Sequence, residues 1–508
     1  FNNTGVNKAW RYTCDISQTV ENTYTENAVL FNSIKTEYKN HDLYRFPKKI
    51  KKSYSINGTN YLQTEEHDFN FQHINTGEKY LLGLKESDSI TYSSPGTNDI
   101  KHFYQYQYVP NSSLLQTITN DPGSAYQLTT SYTYDDFGNI KSSTRACNGF
   151  PSRSDSTIFS LDGRFLIRTK NPKQHTTTFT YDPITGNKLS EQDPNGLTTT
   201  FFYDSFGDLE KTILPDGKNI VQVTRWVDET IVDAPTNALF YAWTKTSGAP
   251  VKKVFYNEKG QVLRESAEGA LNKLILKDNE YYSTITNVGL IHRESNPYFY
   301  DDGSGPPIGK TASSEWTEYS YNCKREPNLI TKPNGSFRRT YSSQRDLFIE
   351  DFDGHTTVKE FNGAGWLTKV TDNGSETIEY NYTANGSPSK IIMNGDVAHA
   401  ISYRYNLLGK VDSIQDPHLG KITYRYSPFG DIIRQTNARN QVTSFNYDKL
   451  GRPTVSSSPE GVTRWYYDSQ PYGIGQLDYS QFVFDNAQYY RLTKSCKYDK
   501  MGRLIRST

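Results

Sequence analysis

A chain of 508 residues with 34% hydrophobic content, a mean hydropathy of −0.75 and two methionines is poorly suited to an aliphatic helical bundle. Burial falls instead to 39 Tyr, 25 Phe and 6 Trp, side chains that pack well on a pleated surface. The 56 basic residues balance 56 acidic ones, which argues against a nucleic-acid protein held by long-range attraction and against an acidic disordered tail, and no apolar run is long enough to predict a membrane-spanning helix.

The length allows two to four ordinary domains or one large repetitive sheet. The chain begins at Phe1 without Met or a signal-peptide pattern and stops within a motif, Met501-Gly502-Arg503-Leu504, so it reads as an internal piece of a longer protein.

Residues 1–130 read as an N-terminal β-rich region. Tyr104, Tyr106 and Tyr108 alternate with Gln105 and Gln107, a period of two. Lys48, Lys49, Lys51 and Lys52 read as a solvated or edge-guarding strand. Glu65, Glu66, His67, Asp68 and His73 form the most metal-like group. On a strand His67 and Asp68 face opposite ways, and metal ligands must converge, so a solvated strand is expected there and no metal site.

From residue 131 a repeat takes over. Tyr134-Asp135-Asp136-Phe137-Gly138 recurs as Tyr203-Asp204-Ser205-Phe206-Gly207, Tyr447-Asp448-Lys449-Leu450-Gly451 and Tyr498-Asp499-Lys500-Met501-Gly502. Tyr181-Asp182 reaches Gly186 with one inserted residue, and looser copies pair Tyr256 with Gly260, Phe361 with Gly365, Tyr382 with Gly386, Tyr405 with Gly409 and Tyr426 with Gly430. Gly186 and Gly207 are 21 residues apart, as are Gly365 and Gly386, Gly409 and Gly430, and Gly430 and Gly451. A second turn signal falls about ten residues after the first: Asp193-Pro194-Asn195-Gly196, Pro215-Asp216-Gly217, Lys332-Pro333-Asn334-Gly335, Pro459-Glu460-Gly461. Between turns the sequence alternates, with Thr177, Phe179 and Tyr181 on one face and Thr176, Thr178 and Thr180 on the other. Each unit is therefore two strands and two tight turns. A lone hairpin is marginal in water, so units must pair edge to edge into one antiparallel sheet. In the turn, Asp accepts from an amide two residues on, Gly takes the left-handed conformation, and Tyr lays its ring over a tyrosine of the previous unit while its hydroxyl reaches a polar partner or water.

The organisation expected is 1–130 diverged, 131–265 repeats, 266–340 irregular with a loop at Asp301–Pro307, and 341–508 repeats. No helix longer than a few turns is expected. Cys14, Cys147, Cys323 and Cys496 are scattered without a Cys-x-x-Cys pair and read as four buried thiols. No Gly-x-Ser-x-Gly, phosphate-binding loop or dinucleotide fingerprint occurs, and no catalytic residue or cofactor is expected.

The Tyr-Asp-x-x-Gly units resemble the YD repeats of the RHS family, most strongly over Thr176–Asp216. The chain looks most like RHS proteins of the SpvB and toxin-complex B-subunit type, and more distantly like the teneurins. That resemblance implies an all-β fold: a long antiparallel sheet of repeated hairpins spiralling into a large shell around a toxic C-terminal segment that lies outside this chain. It also implies secretion or a place at the cell surface, and other toxin-complex subunits as partners. Such shells end in a core motif where an aspartyl protease activity frees the cargo. Asp182 and Asp193 sit in a stretch superficially like that motif. Gly186 is followed by Asn187 and Lys188 where the family has Gly-Arg-Phe, so both aspartates are expected to be turn formers. Two other functions fit the same repeat: a cell-surface adhesion or glycan-binding module, and, less well, a polysaccharide-active enzyme.

Overall fold

The computed structural model describes residues 16–24, 30–56, 59–75, 80–269, 273–283, 287–301, 315–343, 346–484 and 491–508. Over these residues there are forty strands and no α-helix, and the strands form one antiparallel sheet that is not closed. Cys14 lies outside the described residues, and of the loop expected at Asp301–Pro307 only Asp301 is described.

Strand pairs with strand in chain order. The one irregularity is at β20 (Lys273–Tyr281), which pairs along part of its length with β21 (Ile291–Ser295) and along the rest with β22 (Tyr298–Asp301). These two are one strand broken at Asn296-Pro297, where proline cannot donate to the ladder. β23 (Trp316–Tyr321) then pairs with β21 and the meander resumes. The N-terminal region differs in strand length: β2 (Leu30–His41) has 12 residues, β4 (Thr59–Asn75) 17 and β5 (Tyr80–Ser93) 14. Strands of the repeats are shorter, such as β13 (Lys188–Gln192) with five residues and β14 (Thr198–Tyr203) with six, though Phe150–Phe159 has ten.

The turn chemistry builds the units. At Tyr134-Asp135-Asp136-Phe137-Gly138 the Gly138 amide donates to the Asp135 carbonyl at 3.1 Å, and the Asp135 amide to the Asn139 carbonyl at 2.9 Å. Gly138 has φ +86°, and the register slips beside Tyr134. This is a type I turn closed by a glycine bulge. Gly207 repeats it at φ +89°. Only the Asn187 amide, 4.0 Å away, approaches the place a β-carbon on Gly207 would occupy, so Gly207→Val loads the backbone and little else. That variant is expected to lose about 1–3 kcal/mol in urea unfolding; an unchanged midpoint would refute the turn assignment.

Because the strands alternate in direction, the Tyr-Asp-x-x-Gly turns gather on one rim of the sheet and the Asn/Pro-Gly hairpins on the other. The two rims meet. The Asn406 amide donates to the Tyr126 hydroxyl at 3.4 Å across 280 residues of sequence. Arg153 bonds Asp431 across 278 residues. Asn195 accepts from the Ile474 amide at 2.8 Å and donates to the Ile474 carbonyl at 3.2 Å across 279 residues. In each case a hairpin-rim residue from the first half of the chain meets a tyrosine-rim turn from the second half. The strand offset is also constant. Tyr126 follows β7 (Leu115–Asn120) and Asn406 follows β31 (Ile401–Tyr405); Asn195 follows β13 and Ile474 follows β37 (Gly461–Tyr467). The sheet therefore coils, and one lap takes about 280 residues. With neighbouring strands about 4.8 Å apart, a lap of this many strands has a circumference of at least about 110 Å.

Among the described residues nine hydrophobic side chains are buried: Phe69, Tyr241, Val251, Phe255, Leu276, Trp316, Ala384, Ile392 and Cys496. The accessible surface, 31633 Å² for 58.0 kDa, is about 1.7 times that of a compact protein of this mass. Both observations describe a wall one sheet thick.

One part of the wall is doubled. Residues 227–239 fold over β18 (Lys252–Tyr256), β19 (Val262–Glu268) and β20, and there Phe255 and Leu276 are fully covered. The same face carries a buried polar network. Arg264, 3% exposed, donates to both carboxylate oxygens of Asp278 and, at 3.1 Å, to the Asp233 carbonyl. Tyr298 donates to Asp278 at 2.7 Å. Lys253 and Ser266 each donate to the Asp233 carboxylate at 2.6 Å. Burial works against the Arg264 charge, but the bonds to Asp278 outweigh it and its pKa lies above the ordinary value.

Candidate functional site

The tyrosines of the repeat act through their hydroxyls. Tyr203 donates to the carbonyl of Lys188 at 2.9 Å, Tyr447 to Ile432 at 2.7 Å, Tyr498 to Leu477 at 2.8 Å and Tyr134 to Leu115 at 2.6 Å. Every acceptor is the first residue of the strand that leaves the preceding tyrosine-rim turn. The ladder between β13 and β14 runs only from Gln192 back to Ser190, so the Lys188 carbonyl lies beyond it. The tyrosine takes up that orphaned acceptor and props one unit against the next at the rim. Among the described residues the tyrosine–tyrosine ring pairs, Tyr44–Tyr80, Tyr282–Tyr321, Tyr424–Tyr426 and Tyr466–Tyr479, include none of these four. Tyr181 does stack, but on Phe165, with ring centroids 5.1 Å apart.

The aspartates close the turns. Asp135 accepts from the Phe137 and Asn139 amides, Asp204 from Phe206 and Asp208, Asp448 from Leu450 and Arg452, and Asp499 from Met501 and Arg503, all at 2.8–3.0 Å. Asp182 accepts from Ile184 and Thr185, and Asp193 from Asn195 and Leu197. Amide donors hold the Asp182 carboxyl below its usual pKa. Gly186, Gly451 and Gly502 all have positive φ.

The seam between laps was invisible to sequence reasoning, since its partners are some 280 positions apart and their residue types are ordinary. Arg153, 9% exposed, pairs with Asp431 and lies 4.1 Å from the Phe429 ring centroid. His175 approaches Asp468 at 3.5 Å, and Arg452 bridges Asp468 to Asp448. Packing is incomplete: a cleft of about 420 Å³ remains between Phe150, Arg153, Phe429 and Tyr447.

The N-terminal clusters are held in ion pairs, and the edge-guarding reading of the lysines is corrected. β3 (Pro47–Ile56) lies between β2 and β4, so its lysines guard no edge. Lys49 pairs with Glu66 at 2.7 Å and Asp68 at 3.4 Å. On the opposite face His67 bonds Glu65 at 2.8 Å and approaches Asp88 at 3.7 Å, while His73 bonds Asp42 at 2.7 Å. The five residues read together in sequence are thus divided between the two faces of β4 and spent on separate ion pairs. Of the described cysteines Cys496 is buried, Cys147 half-buried and Cys323 exposed, which corrects the expectation of uniformly buried thiols.

Asp88 and Glu65 raise the His67 pKa against the opposing effect of burial, and Asp88 is lowered although burial alone would raise it. A raised histidine contributes stability that is complete below its unfolded pKa and disappears as pH rises through the folded one. His67→Asn should therefore destabilise β4–β5 more at about pH 5.5 than at about pH 8.5, as read by urea unfolding. An equal loss at both would show that His67 is not charged in this pairing.

Residues 426–463 match the model of the RHS Repeat family. No curated protein matches the chain. Among solved structures, TcdB2-TccC3 without its hypervariable C-terminal region is similar at 10% identity and a TM-score of 0.69, over 97% of this chain and 38% of that one. TcdB2-TccC3-TEV is similar at 11% identity and 0.70, over 94% and 37%. The Photorhabdus luminescens Tc holotoxin pore is similar at 12% and 0.54, over 94% and 30%. The chain thus spans well under half the length of these proteins. Residues 426–463 are an RHS repeat, and the sheet that continues from them over nearly the whole chain has the fold of the TcdB2-TccC3 assemblies.

Proposed function

We propose that this chain is a stretch of shell wall from a secreted toxin complex, built to enclose a cargo polypeptide encoded beyond Thr508. The observation that carries the reading is the coiling of a single-layer sheet, with tyrosine rim seated on the hairpin rim of about 280 residues earlier. A lap at least about 110 Å around has a diameter of at least about 35 Å. With a wall about 10 Å thick, that leaves room for an unfolded chain. Such a wall offers its cargo many weak aromatic and hydroxyl contacts and needs no catalytic centre of its own.

Electron microscopy of the chain tests the wall: rings or barrels around a void are expected, and solid globules would overturn it. Containment is tested by appending an unstructured segment after Thr508. Trypsin should remove it more slowly than from an unrelated carrier, and equal rates would count against enclosure.

A further inference from the structure

Asparagine followed by glycine is open to loss of its side-chain amide, because glycine has no side chain to keep its own nitrogen away from the asparagine carbonyl. Seven such pairs lie among the described residues, and in six of them the asparagine is held. Asn195 bonds Ile474 through both atoms of its amide. The side-chain oxygens of Asn334, Asn362, Asn373, Asn385 and Asn394 accept from amide or hydroxyl donors on Ser336, Trp366, Thr356, Thr383 and Thr377. The amides of Gly196, Gly335 and Gly386 are also spent, on the carbonyls of Asp193, Lys332 and Thr383. The seventh pair differs on both counts. Asn148 is exposed, and neither its side chain nor the Gly149 amide has a hydrogen-bond partner among the described residues. Nothing lies within 4 Å of the place that a β-carbon on Gly149 would take.

This turn stands at the seam. It joins β9 (Ile140–Cys147) to β10 (Phe150–Phe159), with Cys147 paired to Phe150 across it. Cys147 and Asn148 line a cleft of about 290 Å³ against Pro428 of the second lap. Gly149 and Phe150 line the neighbouring cleft, beside Arg153 and Asp431. We infer that Asn148 is a site of spontaneous deamidation, and that its isoaspartate product loosens the seam at Arg153 and Asp431. The Gly149 nitrogen bonds to the side-chain carbonyl carbon of Asn148, and the displaced amino group leaves with the Gly149 proton as ammonia. Water then opens the five-membered imide at either carbonyl, giving aspartate or isoaspartate. Isoaspartate adds a methylene to the main chain of a two-residue hairpin turn, whose length sets the register of both strands. The pairing of Cys147 with Phe150 cannot survive that change, and β10 carries Arg153 three residues further on. The inference concerns the seam alone and is independent of what the wall encloses.

Peptide mass mapping of the full chain, aged in warm and mildly alkaline buffer, provides the test. The peptide containing Asn148 is expected to gain a single mass unit, and to become a substrate for isoaspartyl methylation, before any peptide that carries one of the other six pairs. As it does so, protease should cut the aged chain faster at the turns around Asp431, with circular dichroism unchanged. Asn148→Gln keeps an exposed amide but forms the cyclic imide far more slowly, so it should age without gaining cleavage there. Deamidation of another pair ahead of Asn148 would overturn the site. Equal cleavage of fresh and aged wild type, or of aged wild type and aged Asn148→Gln, would overturn its effect on the seam.

Discussion

Asp278→Ala is expected to cost about 3–5 kcal/mol, because it leaves a guanidinium that is almost wholly buried without its counter-charge. Arg264 directs two donors at the lost carboxylate, and Tyr298 donates to it as well. The loss should be local. Hydrogen exchange of β19 and β20 would report it, with amides on those strands losing protection while strands such as β35 (Val442–Tyr447) keep theirs. The paired apolar exchange, Arg264→Met with Asp278→Leu, should recover much of the loss, because it removes the charge that had been stranded. Alanine at 278 with unchanged protection would mean that water reaches this face freely and that residues 227–239 do not cover it.

Reversing the charge at the seam should have an effect of similar size, but on shape. In Arg153→Glu a second carboxylate faces Asp431 in a place where both side chains are largely buried, and the contact with the Phe429 ring is lost. We expect a loss of about 2–5 kcal/mol in lap-to-lap association, seen as rapid proteolysis at the turns around Asp431 and as unwound particles in micrographs, with the hairpins themselves intact by circular dichroism. Adding Asp431→Arg restores opposite charges across the gap and should bring back the wild-type protease pattern, which is the coupling expected of a direct pair. A single variant as resistant as wild type would show that the laps are held elsewhere.

The repeat was legible because its turns are local chemistry. Asp135 and Gly138 act within five residues of one another, and so do Asp204 and Gly207, so spacing alone predicts both turn and strand direction. The face of each strand was readable from alternation for the same reason. The partner of each tyrosine was not, because the bond from Tyr203 to Lys188 depends on where the neighbouring ladder stops, and that is set by the bulge and the twist of two strands together. Lap length is more collective still. It sums the twist and tilt of every strand between Tyr126 and Asn406, and no residue in that span encodes it. The partners of the N-terminal carboxylates and histidines were unreadable for a related reason: adjacency on β4 says nothing of β3 and β5, which supply Lys49 to Glu66 and Asp88 to His67. The cover formed by residues 227–239 left no trace in the repeat at all, since it interrupts the pattern.

The alternation of rims restricts how such a wall can change in length. Gain or loss of a whole unit adds or removes two strands and keeps every later tyrosine turn on its own side. A single-strand deletion would invert all that follows and put glycine hairpins where tyrosine turns had been. Even an in-phase insertion between Asn195 and Ile474 lengthens the circuit and shifts the two residues apart, so drift in repeat number within one lap must be matched by new contacts one lap later. Copy number and circumference are therefore coupled, and walls of different bore would evolve in steps of a hairpin.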